Sequence, residues 1–178
     1  MTTNILLAGF GGQGILFAGK QLAKTAMDVD LQVSWLPSYG PEMRGGAANC
    51  SVIISDEEIG SPLVVNPDLL IAMNLPSFEK FGPNVKEGGT LIYDSSLIPA
   101  KSERTDITVA GIPATEMASG AGLVGMANVI ILGYVLKLTG LFEYEMFLEH
   151  MIAGIPPAKA ALIEKNKKAL ELGYNYNA

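Results

Sequence analysis

Cysteine and histidine are nearly absent from this sequence of 178 residues, which contains one of each, Cys50 and His150. A single cysteine cannot form an intramolecular disulfide bond, which suits a reducing compartment such as the cytoplasm. Iron–sulfur clusters need several thiolate ligands, so this chain cannot hold such a cluster by itself. His150 lies among acidic and apolar residues, and we expect it at the surface or in an interface. With no triad and no set of metal ligands in view, we predict neither catalytic residues nor a metal site in this chain.

Positive charge is also scarce. The chain has 12 Lys and Arg residues against 18 Asp and Glu residues, which gives a net charge of −6. Nucleic-acid binding needs clustered basic residues, so nucleic acid is not an expected partner. No basic, cleavable leader precedes the first predicted strand, so we expect a cytoplasmic protein.

No hydrophobic run is long enough to cross a membrane comfortably. The most apolar segment, residues 121–136, falls short of the about 20 residues that a spanning helix needs. A helix that is apolar on all sides is buried in a domain or covered by a partner, and Gly125, Ala127 and Gly133 would allow close approach. We expect this helix to pack against the sheet, with another chain as a further candidate. Asn128 within it then needs a hydrogen-bond partner, because an unpaired buried amide costs about 1 to 3 kcal/mol.

The order of the apolar segments predicts one α/β domain over residues 1–178. Continuous apolar strands that alternate with helices are typical of a mainly parallel sheet covered on both faces. The predicted strands cover residues 4–10, 32–36, 48–55, 69–74, 90–94 and 107–110. The predicted helices cover residues 12–26, 76–81, 113–118, 123–139, 143–153 and 158–172. Residues 48–55 follow the preceding strand without room for a crossover helix, which suggests an antiparallel insertion. We predict a three-layer α/β/α fold with a Rossmann-like sheet, in which Gly173 ends the last helix and residues 174–176 form a tail that docks on a neighbour.

A glycine-rich turn follows the first predicted strand and precedes the first predicted helix. Its candidate binding residues are Gly9, Gly11, Gly12, Gln13 and Gly14. Gly9, Gly11 and Gly14 have the G-x-G-x-x-G spacing, in which bare backbone and helix amides face an anion. Residues 33–36 contain no carboxylate that could bind the ribose of a dinucleotide, so the motif does not predict an NAD site. Two interpretations stay open: an anion site at the helix start, or glycines that only let strand and helix pack closely.

A second motif occupies residues 36–46, where two prolines and three glycines surround one Glu and one Arg. Its candidate site residues are Tyr39, Glu42, Arg44, Gly45 and Gly46. Such a loop has a defined shape, and loops carry many binding residues. The alternative is a tight connection between two strands in which Arg44 pairs with Glu42.

Together the two motifs resemble the gamma subunit, or the equivalent domain, of the 2-oxoacid:ferredoxin oxidoreductases. The resemblance rests on Gly-Phe-Gly-Gly-Gln-Gly-Ile at 9–15 and Ser-Tyr-Gly-Pro-Glu-Met-Arg-Gly-Gly at 38–46, followed by Asn-Cys-Ser-Val at 49–52 and Gly-Met-Ala-Asn at 125–128. It covers nearly the whole chain, and the second motif is the more specific one. The overall look of the motifs favours the 2-oxoglutarate or 2-oxoisovalerate type over the pyruvate and indolepyruvate types.

The resemblance implies a subunit of an oxidoreductase that is not active alone. The complex would convert a 2-oxoacid and CoA to acyl-CoA and CO2 while reducing ferredoxin. Alpha and beta subunits would bind thiamine diphosphate and Mg²⁺, whose Gly-Asp-Gly…Asn signature is missing here, and a ferredoxin-like delta subunit would hold the iron–sulfur clusters. This chain would line the active-site cleft and the CoA route, with Arg44 and the glycine turn facing an anion, and it could form a homodimer when isolated. The alternatives are a purely structural interaction subunit and a free-standing nucleotide-binding oxidoreductase.

Overall fold

The computed structural model describes residues 1–39 and 47–178, and for Tyr39 it describes the backbone alone. Within these residues, six strands form one sheet in the order β2-β3-β1-β4-β5-β6. The strands are β1 (Thr2–Phe10), β2 (Gln32–Tyr39), β3 (Ala47–Ser55), β4 (Leu69–Ala72), β5 (Thr90–Asp94) and β6 (Thr108–Ile112). The helices are α1 (Ile15–Asp28), α2 (Leu75–Phe81), α3 (Ala114–Gly120), α4 (Ala127–Thr139), α5 (Tyr144–Ala153) and α6 (Ala161–Tyr174), with 3-10 turns at Gly82–Asn84 and Pro157–Lys159.

The sheet is mainly parallel, as predicted, and β3 is the strand that departs from the common direction. It pairs antiparallel with both β1 and β2, whereas β1–β4, β4–β5 and β5–β6 are parallel pairs. Residues 40–46 are too few for a parallel crossover, which needs a dozen residues or more. The predicted antiparallel insertion is therefore confirmed.

Several predicted element ends differ from the observed ones, β4 ending at Ala72 and α4 beginning at Ala127 among them, and two of the differences have a clear physical reason. Strand β2 continues through Pro37 to Tyr39, because an edge strand tolerates a residue without an N–H group. Helix α1 begins at Ile15 and not at residue 12, because Gly12 and Gly14 have φ angles of 97° and 74°, in the left-handed region.

Both faces of the sheet are covered, but unequally. On one face Leu7, Ile71 and Ile92 pack under the layer that contains α1, α4, α5 and α6. On the other face their neighbours Leu6 and Leu70 pack under the short helix α2 and the adjoining loops. The alternation follows from the period of two in a strand. The three-layer α/β prediction holds, with one thick and one thin helical layer.

Helix α4 is the apolar segment that raised the membrane question, and every residue from 128 to 136 in it is buried. Among the described residues, no helix combines the length and the apolarity that crossing a membrane requires.

Helices α4 and α6 cross with their backbones in direct contact. A Cβ added at Gly133 would lie 2.8 Å from the Tyr174 backbone nitrogen, and one added at Gly173 would lie 2.7 Å from the Ile130 carbonyl carbon. The prediction that Gly173 ends the last helix was wrong, since α6 runs on to Tyr174. Gly173 is needed for close approach instead of for a left-handed cap.

The C-terminal tail packs on this chain's own helices. The ring of Tyr174 lies 4.6 Å from that of Tyr144, and the ring of Tyr176 lies 5.4 Å from that of Tyr134. Lys137 Nζ donates a hydrogen bond to the Tyr176 carbonyl oxygen at 2.5 Å. Within this chain, residues 174–176 therefore pack on its own helices, and docking of the tail on a neighbour stays a prediction.

Candidate functional site

The glycine turn between β1 and α1 is shaped by close contacts at two of its glycines. A Cβ at Gly9 would lie 2.9 Å from Ile15 Cδ1, and a Cβ at Gly14 would lie 2.8 Å from Asn128 Cγ. Gly12 is exposed, and a Cβ there would meet no atom within 4 Å. Gly11 lies in the same turn and is half-buried. Close packing therefore accounts for Gly9 and Gly14, whereas the space beside Gly12 is open to a ligand.

Gln13 connects this turn to the end of β4 through two hydrogen bonds. Its Oε1 accepts a hydrogen bond from the Phe10 N–H at 2.6 Å, and its Nε2 donates one to the Met73 carbonyl oxygen at 2.8 Å. Both polar atoms of the amide are thus used inside the chain. The arrangement makes Gln13 a positioning residue that holds the turn in shape.

Asn128 joins the start of α4 to the start of α1. Its Nδ2 donates a hydrogen bond to the Gly14 carbonyl oxygen at 3.2 Å, and the residue is only 6% exposed. The predicted need for a hydrogen-bond partner is confirmed. This hydrogen bond brings the starts of the two helices close together. Within the described ranges, no side chain caps the first turn of α1 or of α4, and the first amides of a helix lack intrahelical partners.

A cleft of about 240 Å³ opens beside this turn. Its lining comes from the glycine turn, the end of β4, helix α3 and the approach to α4: Gly12, Gln13, Met73, Leu97, Thr115, Ala118, Ser119, Val124, Gly125 and Ala127. In the sheet, β2 and β3 lie on one side of β1, whereas β4, β5 and β6 lie on the other. The strand order therefore reverses between β1 and β4, and the cleft lies at this point. In open α/β sheets this crevice is the usual place for a ligand.

Among the residues that the structure describes, none with a charged side chain lines the cleft. The nearby carboxylate of Asp94 is fully buried at the end of β5. One of its oxygens accepts a hydrogen bond from Ser96 N–H at 3.0 Å, and the other accepts bonds from Thr115 N–H at 3.1 Å and Thr115 Oγ1 at 2.6 Å. Asp94 therefore positions α3. A ligand in the cleft would meet amides, hydroxyls and apolar atoms.

The second motif falls largely outside the described residues. The part outside includes Glu42, Arg44, Gly45 and Gly46. Of Tyr39 only the backbone is described, and it pairs with Ala48 on β3. The two ends of the loop can nevertheless be placed, because Ala47 pairs with Phe10, the last residue of β1. The loop thus leaves and re-enters the sheet beside the glycine turn.

Cys50 and His150 stay outside the cleft. Burial raises the pKa of the Cys50 thiol to about 12, against a smaller opposing effect of the Trp35 hydrogen bond. His150 Nδ1 lies 3.0 Å from Asp28 Oδ2 on the surface. Among the described residues, no group of three or more His, Cys, Asp or Glu side chains could hold a metal ion.

Sequence reasoning missed the far wall of the cleft, which α3 supplies through Thr115 and Ser119. One signal was available, since residues that follow parallel strands gather at the same edge of the sheet. Met73 and Leu97 follow β4 and β5 in this way. Helix α3 is separated from the turn by about a hundred residues, and no local pattern linked the two.

Comparison with known proteins identifies the family. The family model described as "Pyruvate ferredoxin/flavodoxin oxidoreductase" matches residues 4–176. The ketoisovalerate oxidoreductase subunit VorA of Methanothermobacter thermautotrophicus is 40% identical over 173 residues, which are 95% of this chain and 35% of VorA. The 2-oxoglutarate synthase subunit KorC of Methanocaldococcus jannaschii is 37% identical over 98% of this chain and 93% of KorC. The chain thus spans about a third of VorA and nearly all of KorC.

Solved structures agree with this assignment. The gamma subunit of a keto/oxoacid ferredoxin oxidoreductase from Geobacter sulfurreducens matches with a TM-score of 0.84 and 30% identity, over 98% of this chain and 95% of that one. The 2-oxoglutarate:ferredoxin oxidoreductase from Magnetococcus marinus shares the fold with a TM-score of 0.86 at 21% identity, over 99% of this chain and 32% of that one. The resemblance drawn from the two motifs is confirmed. This chain belongs to the pyruvate ferredoxin/flavodoxin oxidoreductase family.

Proposed function

We propose that this chain is the gamma subunit, or the equivalent domain, of a thiamine-diphosphate-dependent 2-oxoacid:ferredoxin oxidoreductase. The complex converts a 2-oxoacid and CoA to acyl-CoA and CO2 and reduces ferredoxin. The observation that carries the proposal is the match over nearly the full length of a separate KorC subunit, combined with a match to about a third of the longer VorA. A unit that occurs both as a subunit and as part of a longer chain is suited to work within an assembly.

Within the assembly, we assign this chain a wall of the active-site cleft and part of the CoA route. The open space beside Gly12 and the uncapped amides of α1 suit an anionic group. The described lining of the cleft supplies no cation, so Arg44 on the adjoining loop is the residue we assign to a phosphate or carboxylate. Glu42 orients Arg44 or faces a partner, and Tyr39, Gly45 and Gly46 shape that loop.

The redox and decarboxylation chemistry belongs to the partners. The described residues offer no cluster of metal ligands, so thiamine diphosphate, Mg²⁺ and the iron–sulfur clusters reside on alpha, beta and delta subunits in this proposal. The complex is cytoplasmic. The substrate is 2-oxoglutarate or a branched-chain 2-oxoacid, and identities of 37% to KorC and 40% to VorA do not separate these two.

Native co-purification tests the assembly and the chemistry together. The chain is isolated from its own cells, the mass of its complex is measured, and CoA-dependent viologen reduction is assayed on the same fraction with 2-oxoglutarate, 2-oxoisovalerate and pyruvate. We expect thiamine-diphosphate and ferredoxin-type subunits and activity on one oxoacid. A lone chain that binds NAD(P) or FAD tightly would instead support a free-standing nucleotide-binding oxidoreductase.

The role of the second motif is tested by Arg44→Ala and Arg44→Lys in the reconstituted complex. We expect both variants to assemble, with the KM for CoA at least tenfold higher in Arg44→Ala and partly restored in Arg44→Lys. Lys101→Ala, which removes an exposed cation elsewhere on the chain, serves as the control. Loss of assembly in Arg44→Ala, with unchanged kinetics in any complex that remains, would favour a purely structural subunit.

A further inference from the structure

The outer side of α1 and the edge strand β2 together form an exposed apolar surface, which we call the α1–β2 face. It consists of Phe17, Lys20, Lys24 and Met27 on α1 with Val33 and Trp35 on β2. The α1 residues are spaced by three, four and three positions, which places them in one stripe along the helix. Met27 is 62% exposed, Phe17 42% and Trp35 38%. A groove of about 340 Å³ runs between the helix and the strand.

Strand β2 is the edge of the sheet on this side. Within the described ranges it pairs with β3 alone, and no strand pairs with its outer edge. An exposed edge strand with apolar side chains is a template for pairing with another chain. The only residue in β2 that lacks an N–H group is Pro37, near its end. The strand can therefore accept a further strand along most of its length.

The charge of this face indicates what covers it. Among the described residues, Lys20 and Lys24 line the groove and no acidic residue does. Neither lysine has an ion pair in this part of the chain. This contrasts with the net charge of −6 for the whole chain. A second copy placed on this face by a two-fold axis would bring four lysines together. An occupant with carboxylates would pair with them instead.

We propose that the α1–β2 face docks an extended segment of a partner subunit whose α1-facing side chains, at every second position, include both apolar and acidic ones. The segment adds to the outer edge of β2, which pairs the backbone groups of both strands. Its apolar side chains fill the groove against Met27 and Trp35, and its carboxylates face Lys20 and Lys24. This inference rests on the proposed function, because the segment belongs to another subunit of the same complex.

Trp35 provides a direct test, because it is the only tryptophan of the chain. The chain is labelled with 5-fluorotryptophan and assembled with unlabelled partner subunits, so that the complex gives one ¹⁹F resonance from Trp35. We expect the resonance to move on assembly and its shift between H2O and D2O to fall by at least half. A resonance unchanged in a fully assembled complex would overturn the docking proposal and leave the proposed function standing.

Charge reversal supplies the second test. We expect Lys20→Glu/Lys24→Glu to weaken assembly at least tenfold. The matched control Lys101→Glu/Lys165→Glu, which reverses two exposed lysines elsewhere, should assemble as the wild type does. Equal assembly of both double variants would refute the assignment of the lysines.

Two further outcomes separate the remaining possibilities. Movement of the Trp35 resonance with concentration in the isolated chain would identify a second copy as the occupant and overturn the proposal. Failure of the wild-type chain to join any partner would remove the proposed function and the docking segment together.

Discussion

The contact between α4 and α6 makes Gly173→Ala the sharpest test of the fold. Gly173 is the second-last residue of α6, and a Cβ there would fall 2.7 Å from the Ile130 carbonyl carbon and 3.0 Å from the Tyr134 backbone nitrogen. Because all of these neighbours are backbone atoms of α4, no side chain can rotate away. The added methyl group must push the two helices apart.

The expected cost follows from two opposing effects. Overpacking a close contact costs about 3 kcal/mol at the upper end of the usual range, which suits a clash with backbone. Alanine in a helix recovers at most about 1 kcal/mol relative to glycine. We therefore expect the free energy of unfolding to fall by about 2 kcal/mol, the difference between these two effects. For a chain of this size that lowers Tm by about 4–8 °C.

Urea unfolding and thermal melts of the isolated chain measure the effect. Gly120→Ala is the matched control, because Gly120 lies in α3 and a Cβ there meets nothing within 4 Å. The free energy of unfolding of Gly120→Ala should stay within about 0.5 kcal/mol of the wild-type value. If Gly173→Ala were as stable as wild type, the backbones of α4 and α6 would not be in contact at this point.

Three further predictions concern single side chains. Asn128→Ala should lower the free energy of unfolding by about 1 kcal/mol by removing one of the two hydrogen bonds to the Gly14 carbonyl, the other of which comes from the Ala18 N–H. Asn175→Ala, at an exposed position, should match wild type in the same urea titration. At pH 8 a pKa of about 12 leaves about one Cys50 thiol in ten thousand ionised. Iodoacetamide should therefore not alkylate Cys50 in the folded chain. Rapid alkylation before unfolding would contradict the burial of Cys50. For Asp68, burial opposes ionisation, but hydrogen bonds from Lys86 and Asn4 outweigh it and hold the pKa below its ordinary 3.8. Its contribution to stability is thus present above that value and lost as the pH falls through the lower folded pKa. The stability gap to Asp68→Asn should therefore narrow between pH 7 and pH 3, and a constant gap would be inconsistent with the lowered pKa.

The glycine-rich turn shows how far local pattern carries a site prediction. The spacing of Gly9, Gly11 and Gly14 placed the turn correctly between a strand and a helix. The spacing could not separate packing from binding, because both need a residue without a side chain. The contacts divide the glycines: Gly9 and Gly14 face side chains of this chain, and Gly12 faces open space.

Element types and strand directions followed from the amino-acid order, because they depend on short-range rules. Apolar runs predicted the strands, and the short link before β3 excluded a parallel crossover. The motifs at 9–15 and 38–46 were sufficient to place the chain in its family. Asn128 was recognised as a buried amide that needs a partner, but its partner Gly14 is 114 residues away. Partnerships at that distance arise from packing, as do the close approach at Gly173, the return of the C-terminal tail onto α4 and the cleft wall formed by α3. Folding brings these groups together through long-range contacts that no local sequence period encodes.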